Sequence, residues 1–389
     1  MSDVRLFEPL PVRDVTLPNR VGVSPMCMYS ATDGRASDYH LVHLGRFALG
    51  GAGLVIAEAT AVAPEGRISH GDLGLWDDSQ TEALRPVVEF LHRQGSVAGV
   101  QLAHAGRKGS ARVAWEGGRP LTQEDAAHGE PPWPVVGPSA IAAGPGWQTP
   151  VEMSVEQIAA SVEDWRAAAR RAVEAGFDVV ELHGAHGYLL HAFWSPVSNR
   201  REDAYGGSAE ARMRYPLEVA AAVREAIGEG RPLLYRVSAV DGMAGGLRLE
   251  DTAEFCRRLR EAGVDVIDTS SGGIVTDRAI DTRVRRGYAF HTPLSGPLRE
   301  ATGMTVATVG LVVDPHQAEA ILQHGDADLV LLGRTMLDDP NWAHHARAEL
   351  LPGDWSAWPS QSGYAVAARA SAMARLAADG EDPLTRYRR

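Results

Sequence analysis

Lysine is almost missing from this chain: of 38 basic residues, all but Lys108 are arginine. A mechanism that needs a Schiff-base lysine therefore has one candidate nucleophile. Cysteine is nearly as scarce. Cys27 and Cys256 stand far apart, which excludes a disulfide framework and any four-cysteine metal or iron–sulfur site. No apolar run approaches the ~20 residues of a membrane span, and no signal-peptide core follows the polar start Met1–Arg5. A cytoplasmic protein with no membrane partner is expected. Basic charge is also in deficit. A formal net charge of −12 leaves no basic face for nucleic acid.

What is present is ample core. At 389 residues, 44% hydrophobic and 23% charged, the chain has room for one large barrel or two ordinary domains. Eight short apolar runs recur, Val21–Ser24, Leu54–Val62, Val97–His104, Val179–His183, Leu233–Val240, Val264–Ser270, Thr305–Gly310 and Leu329–Gly333. Amphipathic stretches separate most of them, among them Ser79–Gln94, Val155–Ala175, Tyr215–Ile227, Thr252–Ala262 and Pro315–His324. Strands alternating with helices imply βαβ units and a parallel sheet. Eight such units predict an α/β fold, a closed (β/α)8 TIM barrel. Residues 1–358 are expected to form that single barrel. The Gly/Pro/Trp-rich segment of about 111–150 is an excursion after strand three, near the rim where barrel active sites lie. Residues 359–389 form an extended C-terminal tail, helical over Ala365–Ala378 and packed on the barrel or a second subunit.

Functional side chains in such a barrel sit at the C-terminal ends of the strands. There the chain carries Ser24-Pro25-Met26-Cys27-Met28-Tyr29, Glu58-Ala59-Thr60, Gln101-Leu102-Ala103-His104-Ala105-Gly106-Arg107-Lys108 and His183-Gly184-Ala185-His186-Gly187-Tyr188. Arg236, Ser270-Ser271-Gly272-Gly273, Gly310 and Gly333-Arg334 end the later strands. Two imidazole N–H groups can jointly hold a developing oxyanion, and a phenol beside them can deliver a proton. His183, His186 and Tyr188 therefore point to chemistry on a carbonyl-activated substrate. Gln101 and Arg236 would aim donors into the mouth. Glycines ending strands seven and eight let backbone approach a phosphate. A phosphate-bearing cofactor across the mouth would use all of them.

Four of these motifs closely resemble the old yellow enzyme family. They are Ser24–Ser30, Gln101–Lys108, His183–Leu189 and the run Ser195-Pro196-Val197-Ser198-Asn199-Arg200-Arg201-Glu202-Asp203-Ala204-Tyr205-Gly206-Gly207-Ser208. The likeness runs from about Leu6 to Trp358 and is nearest to the bacterial subclass with a cysteine beside the flavin. It implies a barrel that binds FMN non-covalently, takes hydride from NADPH or NADH, and passes it by ping-pong kinetics to an α,β-unsaturated carbonyl compound. Residue by residue, it implies that Ser24, Pro25, Met26, Cys27 and Ala59 line the isoalloxazine. Gln101 bonds its pyrimidine edge, and Arg236 faces N1 and the C2 oxygen. Gly310, Gly333 and Arg334 serve the phosphate end. His183 and His186 bind the substrate carbonyl, Tyr29 lines the pocket, and Tyr188 protonates the α-carbon. A homodimer or homotetramer is implied as well.

Competing readings remain at this point. A barrel lyase or aldolase would use Lys108, although that residue sits in a Gly-Arg-Lys-Gly loop. A flavin-binding, redox-responsive protein without alkene turnover would not need the His–His–Tyr group. His183, His186 and His191 as metal ligands lack a carboxylate or cysteine at suitable spacing, so no metal is expected. Larger dienoyl-CoA reductases with an iron–sulfur cluster are excluded by cysteine count. Arg107 and Lys108 either steer nicotinamide phosphates or form a solvated rim. The resemblance also implies an arginine near the C-terminus donated to the neighbouring subunit; this chain departs from that pattern, and Trp358 is the candidate to fill the role sterically.

Overall fold

A computed structural model describes residues 4–277 and 284–385. Eight parallel strands close into a barrel in strict chain order. They are β1 (Val21–Val23), β2 (Leu54–Ala61), β3 (Val97–Ala103), β4 (Val179–Gly184), β5 (Leu233–Ser238), β6 (Val266–Ser270), β7 (Thr305–Thr308) and β8 (Leu329–Leu332). Each is followed by one of the longer helices α1 (Asp38–Leu49), α2 (Asp78–Arg93), α3 (Val155–Ala175), α4 (Ala209–Ile227), α5 (Leu249–Glu261), α6 (Thr292–Thr302), α7 (Pro315–His324) and α8 (Trp342–Leu350). The fold is the (β/α)8 barrel that the eight apolar runs predict.

Both faces of the strands are covered, which is why they read as continuous apolar runs rather than alternating ones. Val55, Val100 and Val180 belong to the outer core beneath the helices. Leu54, Ile56, Val179, Leu234, Val266, Leu329 and Leu331 form a separate apolar plug inside the barrel. Leu10 and Leu17 join that plug from an antiparallel hairpin, Leu10–Val12 with Val15–Leu17. These strands are too short for periodicity to reveal. Further along the barrel strands the buried positions turn polar: Gln101, Glu181, Arg236 and Asp268. This polar layer lies under the barrel mouth.

Helix ends depart from the sequence reading where caps override periodicity. Helix α4 starts at Ala209, not Tyr215, because Ser208 accepts the Ala211 N–H at 3.1 Å. Pro216 looks like a first-turn residue and lies inside the helix. The excursion at 111–150 is not featureless: it holds a short helix Gln123–Ala126 and a strand pair, Val136–Gly137 with Val151–Glu152. The tail helix α9 (Ser360–Ala378) begins before Ala365 and buries Gly363 alone, leaving Tyr364, Met373 and Leu376 exposed. Among the described residues, no helix is long and apolar enough to cross a membrane.

Candidate active site

A cavity of about 450 Å³ opens at the C-terminal ends of β5 to β8. Its lining brings together His186, Arg236, Ser270, Ser271, Gly310, Gly333 and Arg334, all at strand ends singled out from sequence, with Phe290 and His291, which were not. The end of β1 reaches in beside them. Ser24 Oγ accepts from Arg236 Nη1 at 2.9 Å. Met26 Sδ would lie 3.5 Å from a Cβ built on Gly333, with nothing closer. The backbone at Gly333 is thus open to a ligand.

Cys27, Tyr29 and Tyr188 lie in a second, apolar cluster with Ile68, Ala105, Ala111 and Trp147. Half-buried Pro25 leads into it from Ser24. Tyr29 is left-handed at φ 49° and meets the edge of Trp115 at 5.7 Å between centroids. Burial raises the Cys27 thiol and both phenols well above their ordinary ranges, so all three keep their protons at neutral pH. Cys27 is therefore a neutral thiol rather than a nucleophile.

The two clusters meet at the histidine pair. The His183 and His186 rings stand edge to face at 5.1 Å, and Tyr188 stacks edge-on to His183 at 4.8 Å. His183 Nδ1 accepts the Ala185 N–H at 3.3 Å, which puts its proton on Nε2. That nitrogen lies 3.4 Å from His186 Nδ1. His186 Nε2 is 2.7 Å from Ser270 Oγ, and its backbone N–H donates to Ser238 Oγ at 3.0 Å. When the Ser270 hydroxyl donates, His186 carries its proton on Nδ1, and two N–H groups flank one point. Burial, then neighbouring cations including Arg236 and Lys108, hold both imidazoles well below their usual pKa and hence neutral.

Beneath the cavity lies a charged layer that sequence reading missed. Register places Ala59 beside Gln101, Gln101 beside Glu181, and Arg236 between His183 and Asp268. Gln101 Nε2 donates to Glu181 Oε1 at 2.7 Å, so one of its donors is taken rather than aimed at a ligand. Arg236 Nη1 is 3.2 Å from Asp268. Glu181 and Asp268 are both fully buried and both raised by desolvation. A β-bulge between Ala57 and Ala59 leaves Glu58 as the extra residue, buried with Oε1 3.7 Å from His40 of α1 and Oε2 accepting the Met28 N–H at 2.8 Å. The available signal was a carboxylate in an apolar strand; nothing in the spacing gave its partner.

Arg107 departs from its sequence reading, and Lys108, His191 and Trp358 have partners that the sequence alone does not show. Arg107 is no solvated rim: its guanidinium is buried and bonds the carbonyls of Ile141, Ala142 and Ile274. Lys108 Nζ donates to His186 O at 2.7 Å and Gly273 O at 3.1 Å. His191 Nδ1 accepts the Gly187 N–H at 2.9 Å, and its Nε2 lies 2.9 Å from Asp241 Oδ1. Trp358 stacks on His344 of its own chain at 4.6 Å.

The residues at the mouth fit FMN. Arg236 Nε is buried without a partner among the described residues, as an atom awaiting a ligand acceptor would be. Open backbone at Gly333 beside the cationic Arg334 suits a phosphate. The sequence profile of the NADH:flavin oxidoreductase / NADH oxidase family matches residues 5–351. An NADPH dehydrogenase of Listeria monocytogenes serotype 4b is 44% identical over 348 residues, 89% of this chain and 95% of that one. Among solved structures, morphinone reductase superposes with a TM-score of 0.72 at 29% identity, covering 90% of each chain. A 2-naphthoyl-CoA reductase superposes with a TM-score of 0.78 at 23% identity; the match covers 90% of this chain and 53% of that longer one, a likeness of fold alone. The chain belongs to the NADH:flavin oxidoreductase / NADH oxidase family, that of old yellow enzyme, and is an oxidoreductase with FMN as cofactor and a reduced nicotinamide as hydride donor.

Proposed function

We propose that the protein reduces the C=C bond of α,β-unsaturated carbonyl compounds, with NAD(P)H and the alkene using the site in turn. The observation that carries this reading is the contact of His183 with both His186 and Tyr188 at the edge of the cavity. FMN held by these residues would supply hydride transfer between the nicotinamide and the alkene.

The chain's own residues do the rest. His183 Nε2–H and His186 Nδ1–H hold the substrate carbonyl oxygen and stabilise the enolate where its charge appears. Their neutrality suits this role, because they donate hydrogen bonds without surrendering protons. Tyr188, its phenol held protonated by burial, delivers a proton to the carbon α to the carbonyl. Tyr29 and Cys27 line the apolar side. Ser24, Pro25, Met26, Ala59, Gln101 and Arg236 would hold the FMN ring system, and Gly310, Gly333 and Arg334 its phosphate. The reading extends to a cytoplasmic homodimer or homotetramer with α9 at the subunit contact, since Tyr364, Met373 and Leu376 are otherwise bare.

Rapid kinetics tests the assignment. The purified protein should be yellow, be bleached anaerobically by NADPH or NADH, and be reoxidised by cyclohexenone. Tyr188→Phe should slow the alkene half-reaction by about a hundredfold and flavin reduction far less. Equal slowing of both would remove Tyr188 as the acid.

A further inference from the structure

We infer that the peptide bond between His186 and Gly187 is clamped at both ends, by Lys108 on its oxygen and His191 on its nitrogen, and that this clamp sets the directions of the His186 and Tyr188 side chains. The inference rests on the roles proposed above for those two side chains. Neither Lys108 nor His191 touches substrate in this scheme; both are positioning residues.

The need for a clamp is local. His186 and Gly187 are both left-handed, at φ 60° and 76°, in the short link between β4 and the helix Leu189–Trp194. For a non-glycine residue that conformation costs about 1–2 kcal/mol, so the turn relaxes unless its surroundings hold it. A Cβ on Gly187 would lie 2.5 Å from Gly273 O, so the loop after β6 packs flat against this turn.

The hold is polar and directional. Lys108, projecting from the turn Gly106–Lys108, places Nζ 2.7 Å from His186 O and 3.1 Å from Gly273 O. It thereby ties the loop after β4 to the loop after β6. Its Nζ also lies 5.2 Å from the Tyr188 ring centroid. On the other edge, the Gly187 N–H donates to His191 Nδ1 at 2.9 Å. That bond fixes the His191 tautomer, with its proton on Nε2, which faces Asp241 Oδ1 at 2.9 Å. Asp241 Oδ2 in turn accepts Ser195 Oγ–H at 2.7 Å and the Leu247 N–H at 2.8 Å. His191, Asp241 and Ser195 are all buried. An ammonium can only donate, and His191 Nδ1 in this tautomer can only accept. A flipped peptide would set N–H against Nζ and carbonyl against Nδ1. The two side chains therefore accept one orientation of the peptide and reject the other.

Two experiments on the FMN-loaded protein test this. The first is crystallographic: Lys108→Met or His191→Leu should show the 186–187 peptide rotated, and an unchanged peptide in both overturns the clamp. The second is kinetic. Each variant should slow the alkene half-reaction on the order of tenfold. Because both act on one peptide, the double variant should be no slower than the worse single one; multiplied losses would mean two separate roles and overturn the inference. His191→Asn, which keeps an acceptor where Nδ1 sits, should recover most of the rate, and His191→Gln, which reaches Asp241 instead, should not. Rescue by Gln and not Asn assigns the effect to Asp241 and ends the proposal. Should the His191 variants fail to fold, Lys108→Met alone decides by its structure. A wild-type protein without alkene turnover would end the proposed function, while the peptide orientation would still be judged crystallographically.

Discussion

Around Arg236 three ionisable groups meet where water does not reach. Burial raises both Glu181 and Asp268, and the Arg236 guanidinium pulls each back toward ionisation. The ion pair of Arg236 with Asp268 at 3.2 Å leaves the shared proton to Glu181, whose Oε1 accepts from Gln101 at 2.7 Å. The three together are neutral, which a low-dielectric interior favours. Asp268→Asn leaves Arg236 uncompensated and should cost about 3 kcal/mol in urea unfolding. Glu181→Gln keeps a neutral donor and acceptor and should cost under about 1 kcal/mol. An equal loss for both would mean that the proton is not on Glu181. The chain reads Val-Val-Glu-Leu-His and Val-Ile-Asp-Thr-Ser at these places. A lone acid in an apolar strand shows that something must neutralise it, not what does.

Within a single element, the bulge in β2 has a titrating consequence. Glu58 is buried and holds the Met28 N–H, on the segment that presents Cys27 and Tyr29. Burial pushes its carboxyl up to about 8, against the opposing pull of that N–H. In the unfolded chain a glutamate titrates near about 4.3. Between those values the folded state keeps a proton that the unfolded state has lost, so this group's contribution falls as pH rises through the window. Glu58→Gln removes the titration and preserves an acceptor for Met28. Its stability relative to wild type should grow from about pH 5 to about pH 8 in paired urea titrations. A difference independent of pH would place the Glu58 carboxyl elsewhere. The excursion is tied down in part by Arg107, whose buried guanidinium bonds two of its carbonyls, and by Arg201, which bonds the Pro138 carbonyl.

For the whole molecule, cofactor and tail give separate tests. FMN at a hundredfold excess over its Kd should stabilise the fold by about 2.7 kcal/mol. Gly333→Ala leaves its nearest neighbour, Met26 Sδ, at ordinary contact. It should thus spare the melting temperature of the FMN-free protein and yet lower FMN retention, read as flavin absorbance per chain after gel filtration. Retention equal to wild type would clear Gly333 of the phosphate. Deleting residues 360–389 removes α9, whose one buried residue is Gly363. Monomer stability should hold while the assembled mass falls; an unchanged mass would free α9 from any subunit contact.

The order of strands and helices was legible because each unit is local: a buried parallel strand needs an apolar run, and a helix needs its own stripe. His183, His186 and Tyr188 were legible for the same reason, lying within six residues at the end of one strand. Partnerships across the barrel were not. Lys108 meets the carbonyl of His186, Met28 meets Glu58, and Arg236 meets Ser24 over 212 positions of chain. A sequence states which groups must be neutralised once buried; barrel closure and strand register decide which of them come within hydrogen-bonding distance.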